Sequence, residues 1–245
     1  MILKMKTRKK SKLSLLFIMV IMTLFVISCE DENDNKPKVN IPVPDPIINF
    51  NPNVTYGSMT DIDGNVYKTF IFNGKTWMAE NLKVTRYRNG EAIPNVKDSA
   101  DWISLTTGAY CDYNNQPEIS QVFGRLYNGY ARTDSRNIAP EGWHIATSSE
   151  WYSLLPFIPW NMGLIKETDT THWKSPNTGA TNETGFTALP TGQRYPDFSG
   201  IYENCYYDTS DNASGLFAFY YNSTSHINWM GSNLIAGLPV RCVKD

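Results

Sequence analysis

The chain has 245 residues, 41% hydrophobic, 19% charged and 13% aromatic, with a formal net charge of −2. Residues 1–28 hold six of its 22 Lys and Arg residues and none of its 24 Asp and Glu, so the remainder carries 16 basic against 24 acidic residues, a net charge of −8. An acidic body without a basic stripe excludes nucleic acid as the expected partner, because phosphate binding needs clustered Lys and Arg.

At the N-terminus Lys4, Lys6, Arg8, Lys9, Lys10 and Lys12 precede an almost unbroken apolar run from Leu13 to Ile27. This is the layout of a secretion signal, and the run is shorter than the roughly 20 residues a membrane-spanning helix needs. It ends at Ser28-Cys29, a small residue before a cysteine, which resembles the lipobox of bacterial lipoproteins. The resemblance implies cleavage after Ser28 and lipidation of Cys29 with three acyl chains, more than the two signals stable anchoring needs. The competing reading is an uncleaved single-pass anchor.

Glu30, Asp31, Glu32 and Asp34 follow, and then Pro37, Pro42, Pro44, Pro46 and Pro52. Residues 29–53 therefore read as a lipidated, acidic, Pro-rich tether with little to bury. The acids behind Cys29 also resemble a surface-export signal of lipoproteins in Bacteroidota, although a merely solvated linker has the same composition. The expected address is the cell envelope, as an outer-membrane lipoprotein, with display on the cell surface if that signal operates.

Residues 54–245 read as one domain with no internal repeat and no second linker. Val66–Phe72, Asn73-Gly74 and Lys75–Met78 predict a β-hairpin. Just before it, Asp61-Ile62-Asp63-Gly64-Asn65 has the start of a calcium-loop pattern, but the twelfth position is Phe72 rather than Glu. A plain Asp-Gly-Asn turn explains the segment with less, and calcium stays as the alternative. Leu126, Tyr127 and Tyr130 predict a helix over residues 123–131. Thr147-Ser148-Ser149-Glu150 is a capping-box pattern ahead of Trp151, Leu154, Leu155 and Ile158, cut short by Pro156 and Pro159. Beyond Trp160, Thr, Asn, Gly and aromatics predict short strands and long loops. The fold class is α+β.

Several segments, in order, resemble one bacterial family, the Fibrobacter succinogenes major paralogous domain. They are residues 60–69, Trp77-Met78-Ala79-Glu80-Asn81-Leu82, residues 107–115, Phe123-Gly124-Arg125-Leu126-Tyr127-Asn128, residues 138–147, Glu183-Thr184-Gly185-Phe186-Thr187-Ala188-Leu189-Pro190 and Val240-Arg241-Cys242-Val243-Lys244-Asp245. The resemblance implies a C-type-lectin-like fold related to formylglycine-generating enzymes, with a small twisted sheet, two helices and long loops. Those enzymes need a close cysteine pair that binds copper. Here Cys111, Cys205 and Cys242 remain after lipidation, with no Cys-x-x-Cys spacing, so that activity is not expected. In an oxidising envelope one disulfide and one spare thiol are expected. The family-like surroundings of Cys111 and Cys242 favour pairing those two.

His144, His172 and His226 lack zinc spacing, and His144 reads as a hydrogen-bonded structural residue. No nucleophile elbow and no phosphate loop occurs. Residues 195–243 have no Lys, one Glu and one Arg, but many Tyr, Phe, Ser and Asn. Recognition loops use this composition, and core strands use its aromatics as well. The candidate ligand contacts are Tyr206, Tyr207, Asp208, Tyr221, Asn222, His226, Asn228 and Trp229. The expected function is a non-enzymatic, lectin-like binding domain, held at the membrane by lipid and taking a glycan or another protein, without a required cofactor or metal. An envelope polysaccharide-processing enzyme is the alternative, since two carboxylates assembled by folding leave no fixed spacing. A structural component of a surface adhesive assembly is a third reading.

Overall fold

A computed structural model describes residues 41–154, 156–158, 161–211, 216–219, 223, 227–230 and 233–245. The signal segment, Cys29 and the acids behind it lie outside the described residues. Among the described residues no helix is long and apolar enough to cross a membrane.

The predicted hairpin forms. Strand β2 (Val66–Phe72) pairs with β3 (Lys75–Met78) in antiparallel register, Phe72 opposite Lys75. Asn73 and Gly74 both take positive φ, 48° and 72°, the geometry whose twist matches the flanking strands. Strand β1 (Gly57–Thr60) adds on one side of the hairpin. On the other side come the C-terminal strand, Cys242–Lys244, and a strand at Trp143–Ile145, giving a five-stranded antiparallel sheet. Strand alternation sends Phe70, Trp77 and Val243 into one apolar cluster and Tyr67, Met78, Ile145 and Cys242 into another. The sheet is thus covered on both faces.

The 61–65 segment is the plain turn. Asp61 Oδ1 accepts from the Asp63 and Asn65 amides, and Oδ2 accepts from Asn65 Nδ2 and the Tyr67 hydroxyl, at 2.5–2.9 Å. These four donors occupy the lone pairs of the carboxylate.

Among the described residues four short helices form: α1 (Ser99–Ile103), α2 (Pro117–Phe123), α3 (Gly129–Arg132) and α4 (Ser148–Leu154). The capping box ahead of α4 closes as expected. Thr147 Oγ1 accepts from the Glu150 amide, and Glu150 Oε2 accepts from the Thr147 amide. Trp151 then packs edge-on against Trp77, ring centroids 5.3 Å apart. The helix predicted over 123–131 does not exist as one element. α2 stops at Phe123, and Gly124 turns with φ of 80°. Leu126–Tyr127 is a strand paired with Tyr110–Cys111, and α3 starts only after Asn128 caps it. Leu126 and Tyr127 belong to different apolar clusters, so their helix-like spacing was coincidental.

The rest of the chain supplies a ribbon of Thr191–Arg194 with Phe198–Ile201 and a three-stranded antiparallel sheet of Cys205–Asp208, Leu216–Phe219 and Ile227–Met230. In chain order the remaining strands are β4 (Tyr110–Cys111), β5 (Leu126–Tyr127), β6 (Trp143–Ile145), β7 (Thr191–Arg194), β8 (Phe198–Ile201), β9 (Cys205–Asp208), β10 (Leu216–Phe219), β11 (Ile227–Met230) and β12 (Cys242–Lys244). This mixture of small sheets and short helices is an α+β fold.

The tether predicted to reach residue 53 does not. From Ile41 onward the chain belongs to the compact body. Ile41 and Ile48 pack on the cluster holding Trp102 and Phe123, and Phe50 packs on the cluster holding Trp77. Proline content suggested a solvated spacer, but the apolar residues between the prolines are what the domain covers.

A Cβ added at Gly124 would lie 2.5 Å from Asn81 Cβ, in a backbone conformation L residues rarely adopt. Gly124→Ala is therefore expected to destabilise the domain by at least about 1–2 kcal/mol, read as a lowered urea midpoint at unchanged slope. An unchanged midpoint would contradict the tight Gly124–Asn81 approach.

Candidate binding surface

The sequence placed the recognition surface around β9 to β11, and the structure divides that set. Tyr206, Tyr207 and Asp208 lie in β9 and are buried, each at most 3% exposed. Tyr207 stacks on Trp151 with centroids 4.9 Å apart and planes 27° apart, and meets Phe186 edge-on at 5.7 Å. Asp208 forms a buried ion pair with Arg132 at 2.8 Å. These three residues hold the core together and present nothing to a ligand. Their misassignment has a physical reason: Tyr and Asp suit a recognition loop and a satisfied core strand equally well. Asn228 and Trp229 lie in β11, opposite Ala218 and Phe217 of β10. Tyr221, Asn222 and His226 lie outside the described residues.

The predicted Cys111–Cys242 disulfide is absent. Cys111, Cys205 and Cys242 are buried free thiols, and each belongs to a different apolar cluster. The core therefore separates the two sulfurs that the sequence reading paired. Burial pushes the Cys111 and Cys205 thiols up to about 12 and raises Cys242 as well, so little thiolate exists at neutral pH.

Two histidines sit between acceptors. His144, on β6, has Nδ1 2.7 Å from Asp245 Oδ1 and Nε2 3.0 Å from both Glu150 oxygens. Lys75 Nζ also reaches Glu150, at 2.7 Å. Burial raises the Glu150 pKa, but hydrogen bonds from Lys75, the Thr147 amide and His144 outweigh it and leave the carboxyl below its ordinary value. His144 is thus the hydrogen-bonded structural residue expected. His172 is fully buried, with Nδ1 2.8 Å from both Glu167 oxygens and Nε2 2.7 Å from the Asp45 carbonyl. Among the described residues no group of three or more His, Cys, Asp or Glu is arranged to hold a metal ion.

An open feature among the described residues lies elsewhere. A shallow groove of about 290 Å³ is lined by Pro46, Ile48 and Phe50 from the N-terminal segment and by Ser58, Val66, Tyr67, Lys68 and Glu80 from the sheet and its continuation. Lys68 Nζ sits 4.3 Å from the Phe50 ring centroid and 5.3 Å from that of Tyr56. Glu80 accepts from the Lys68 amide at 2.6 Å and from Lys83 Nζ at 3.4 Å. An aromatic ring, an ammonium, a carboxylate and a hydroxyl thus converge with apolar walls, a combination that suits a small polar ligand with apolar faces. Sequence reasoning missed this site. The one signal for it was the apolar Ile48 and Phe50 in a segment otherwise read as solvated.

Residues 72–244 match the family model described as Fibrobacter succinogenes major domain. No curated protein and no solved structure matches the chain. The groove is built mainly upstream of the matched residues, with Glu80 as its contribution from within them.

Alkylation of the unreduced protein in denaturant, mapped by peptide mass, is expected to label Cys111, Cys205 and Cys242 fully, while native protein leaves all three unlabelled. A Cys111–Cys242 peptide pair surviving without label would restore the disulfide.

Proposed function

We propose that this chain, which belongs to the Fibrobacter succinogenes major domain family, is a lipid-anchored, non-enzymatic binding protein of the cell envelope that takes a glycan in the groove beside β1 and β2. The observation that carries the reading is the groove's lining: Phe50 offers an aromatic wall, while Lys68, Glu80 and Ser58 offer a cation, a carboxylate and a hydroxyl. Sugars present C–H faces and hydroxyl edges that match such a set. The volume of about 290 Å³ is at the small end of ligand sites, which suits about one sugar residue or a chain end rather than a long stretch.

Support for a binding rather than a catalytic role comes from how the buried ionisable groups are used. Asp208 is paired with Arg132, Glu167 with His172, and Glu150 with Lys75 and His144. The Asp208–Arg132 and Glu150–Lys75 pairs join separate segments of the fold, and the Glu167–His172 pair closes one loop. Support for the anchor comes from the basic and apolar N-terminus and from Ser28-Cys29, the layout of a lipoprotein signal.

Two experiments test this reading. A glycan panel probed with full-length protein is expected to give binding without turnover, weakened at least about tenfold by Phe50→Ala and by Glu80→Gln. Hydrolysis of a bound polysaccharide would favour the enzyme, and crosslinking only to surface proteins of intact cells would favour the adhesive assembly. Radiolabelled palmitate is expected to enter the wild-type chain and to be lost in Cys29→Ala; equal labelling of both would remove the lipid anchor.

A further inference from the structure

We propose that residues 45–50, within the packed segment 41–53, are a pH-loosened strap: the His172 grip on them holds while both of its ring nitrogens carry protons, and its loss loosens one wall of the groove. The link to ligand binding rests on the groove reading above, whereas the latch itself does not.

Both nitrogens of His172 face oxygen acceptors, the Glu167 carboxylate at 2.8 Å and the Asp45 carbonyl at 2.7 Å. A neutral imidazole has one donor and one acceptor nitrogen, so it can satisfy one of these contacts and must oppose the other. With both protons present, the ring bridges the body of the domain to the strap. Glu167 extends the bridge, since its Oε1 also accepts from the Asn49 amide at 2.8 Å. Asn49 Nδ2 donates to Asp169 at 3.0 Å and to Thr171 at 3.2 Å, so one short loop, residues 167–172, grips the strap at Asp45 and Asn49. Between and beside these two grips stand Pro46, Ile48 and Phe50, the strap's contribution to the groove. Latch and binding wall are therefore the same stretch of chain.

The charged groups facing His172 are Glu167 from its own loop and Asp45 from the strap, while α2 presents the Phe123 ring edge-on at 5.5 Å. Burial lowers the His172 pKa, but the Glu167 and Asp45 hydrogen bonds and their charges outweigh it, leaving the pKa above its ordinary value. A folded-state pKa raised above the unfolded one gives stabilisation that is complete below the unfolded value and is lost as pH rises through the folded one. The strap is thus held while His172 carries both protons and loosens as pH rises through the raised folded-state value, above the ordinary imidazole range.

Hydrogen–deuterium exchange of the full-length protein between pH 6 and pH 9, corrected for intrinsic rates, tests the latch. Protection of peptides covering residues 41–53 is expected to fall at least about tenfold while peptides covering residues 66–78 keep theirs. His172→Gln is expected to show weak strap protection throughout. Glu167→Gln places an amide donor against the neutral ring nitrogen and is expected to flatten the profile. A flat wild-type profile, equal loss in residues 66–78, or an undiminished slope in Glu167→Gln overturns the latch. Affinity for a panel glycan is expected to fall in parallel, and an affinity unchanged while the strap loosens overturns the link to the groove. Strap loosening with no glycan bound at any pH supports the latch and removes the groove reading of function.

Discussion

Arg241 is fully buried immediately before β12, and its guanidinium donates to four oxygens: Asn81 Oδ1, Met78 O, Phe186 O and Thr187 O. It also lies over the Phe186 ring at 4.5 Å and the Tyr207 ring at 5.4 Å. One side chain therefore ties the end of the hairpin, the 186–187 loop, β9 and the last strand together. Taking a charge out of water costs several kcal/mol, so such a group persists only where its donors are well placed. Each hydrogen bond to a charged donor contributes about 1.5–3 kcal/mol, and desolvated cation–π contacts add to that. Loss of any one of these segments would leave the guanidinium underbonded.

The same device recurs because the fold has little regular structure. Long loops bring carbonyls into the interior without a ladder to receive them, and buried carbonyls must find donors. Arg194 donates to the carbonyls of Val96, Lys97 and Asp98, Arg88 to those of Ala139, Pro140 and Trp143, and Arg132 to that of Thr209. The planar, five-donor guanidinium suits this task better than an ammonium. Arginine in this domain is thus largely a replacement for secondary structure, which leaves a modest share of the basic side chains for partners and accords with an acidic exterior.

What could be read from the sequence was local. Asn73-Gly74 fixes a two-residue turn through its own backbone preferences, and Thr147 with Glu150 closes a cap within four residues, so both features announced themselves. The misread segments depend on distant partners. Pro42 to Pro52 look like a spacer until Glu167, Asp169 and His172 are brought alongside by folding. Tyr206, Tyr207 and Asp208 look like a recognition loop until Ala236 and Leu238 pack on Tyr206, Trp151 stacks on Tyr207 and Arg132 pairs with Asp208. Leu126 and Tyr127 keep helical spacing while Gly124 forces a turn before them. Cys111 and Cys242 sit in family-like segments, yet core clusters that no spacing reveals keep them apart. The groove combined both difficulties, since three of its eight lining residues lie in the segment dismissed as tether.

That division also bears on where specificity resides. The matched residues, 72–244, hold α1 to α4, the aromatic core and the arginine nodes, all of which are constrained by packing. Most of the groove lining lies before them, on a strap and a two-stranded edge whose exposed positions include Val66 at 61% and Ile47 at 68%. Substitution at exposed positions of this kind usually changes stability by no more than about 0.5 kcal/mol. The proposed ligand site can accordingly vary while the scaffold stays fixed, provided Asp45 keeps its carbonyl and Asn49 its amide against the His172–Glu167 pair. Those two contacts use backbone atoms, while the Asn49 side chain adds bonds to Asp169 and Thr171, so the latch asks for few particular side chains in the strap and most of that requirement falls on the loop at residues 167–172.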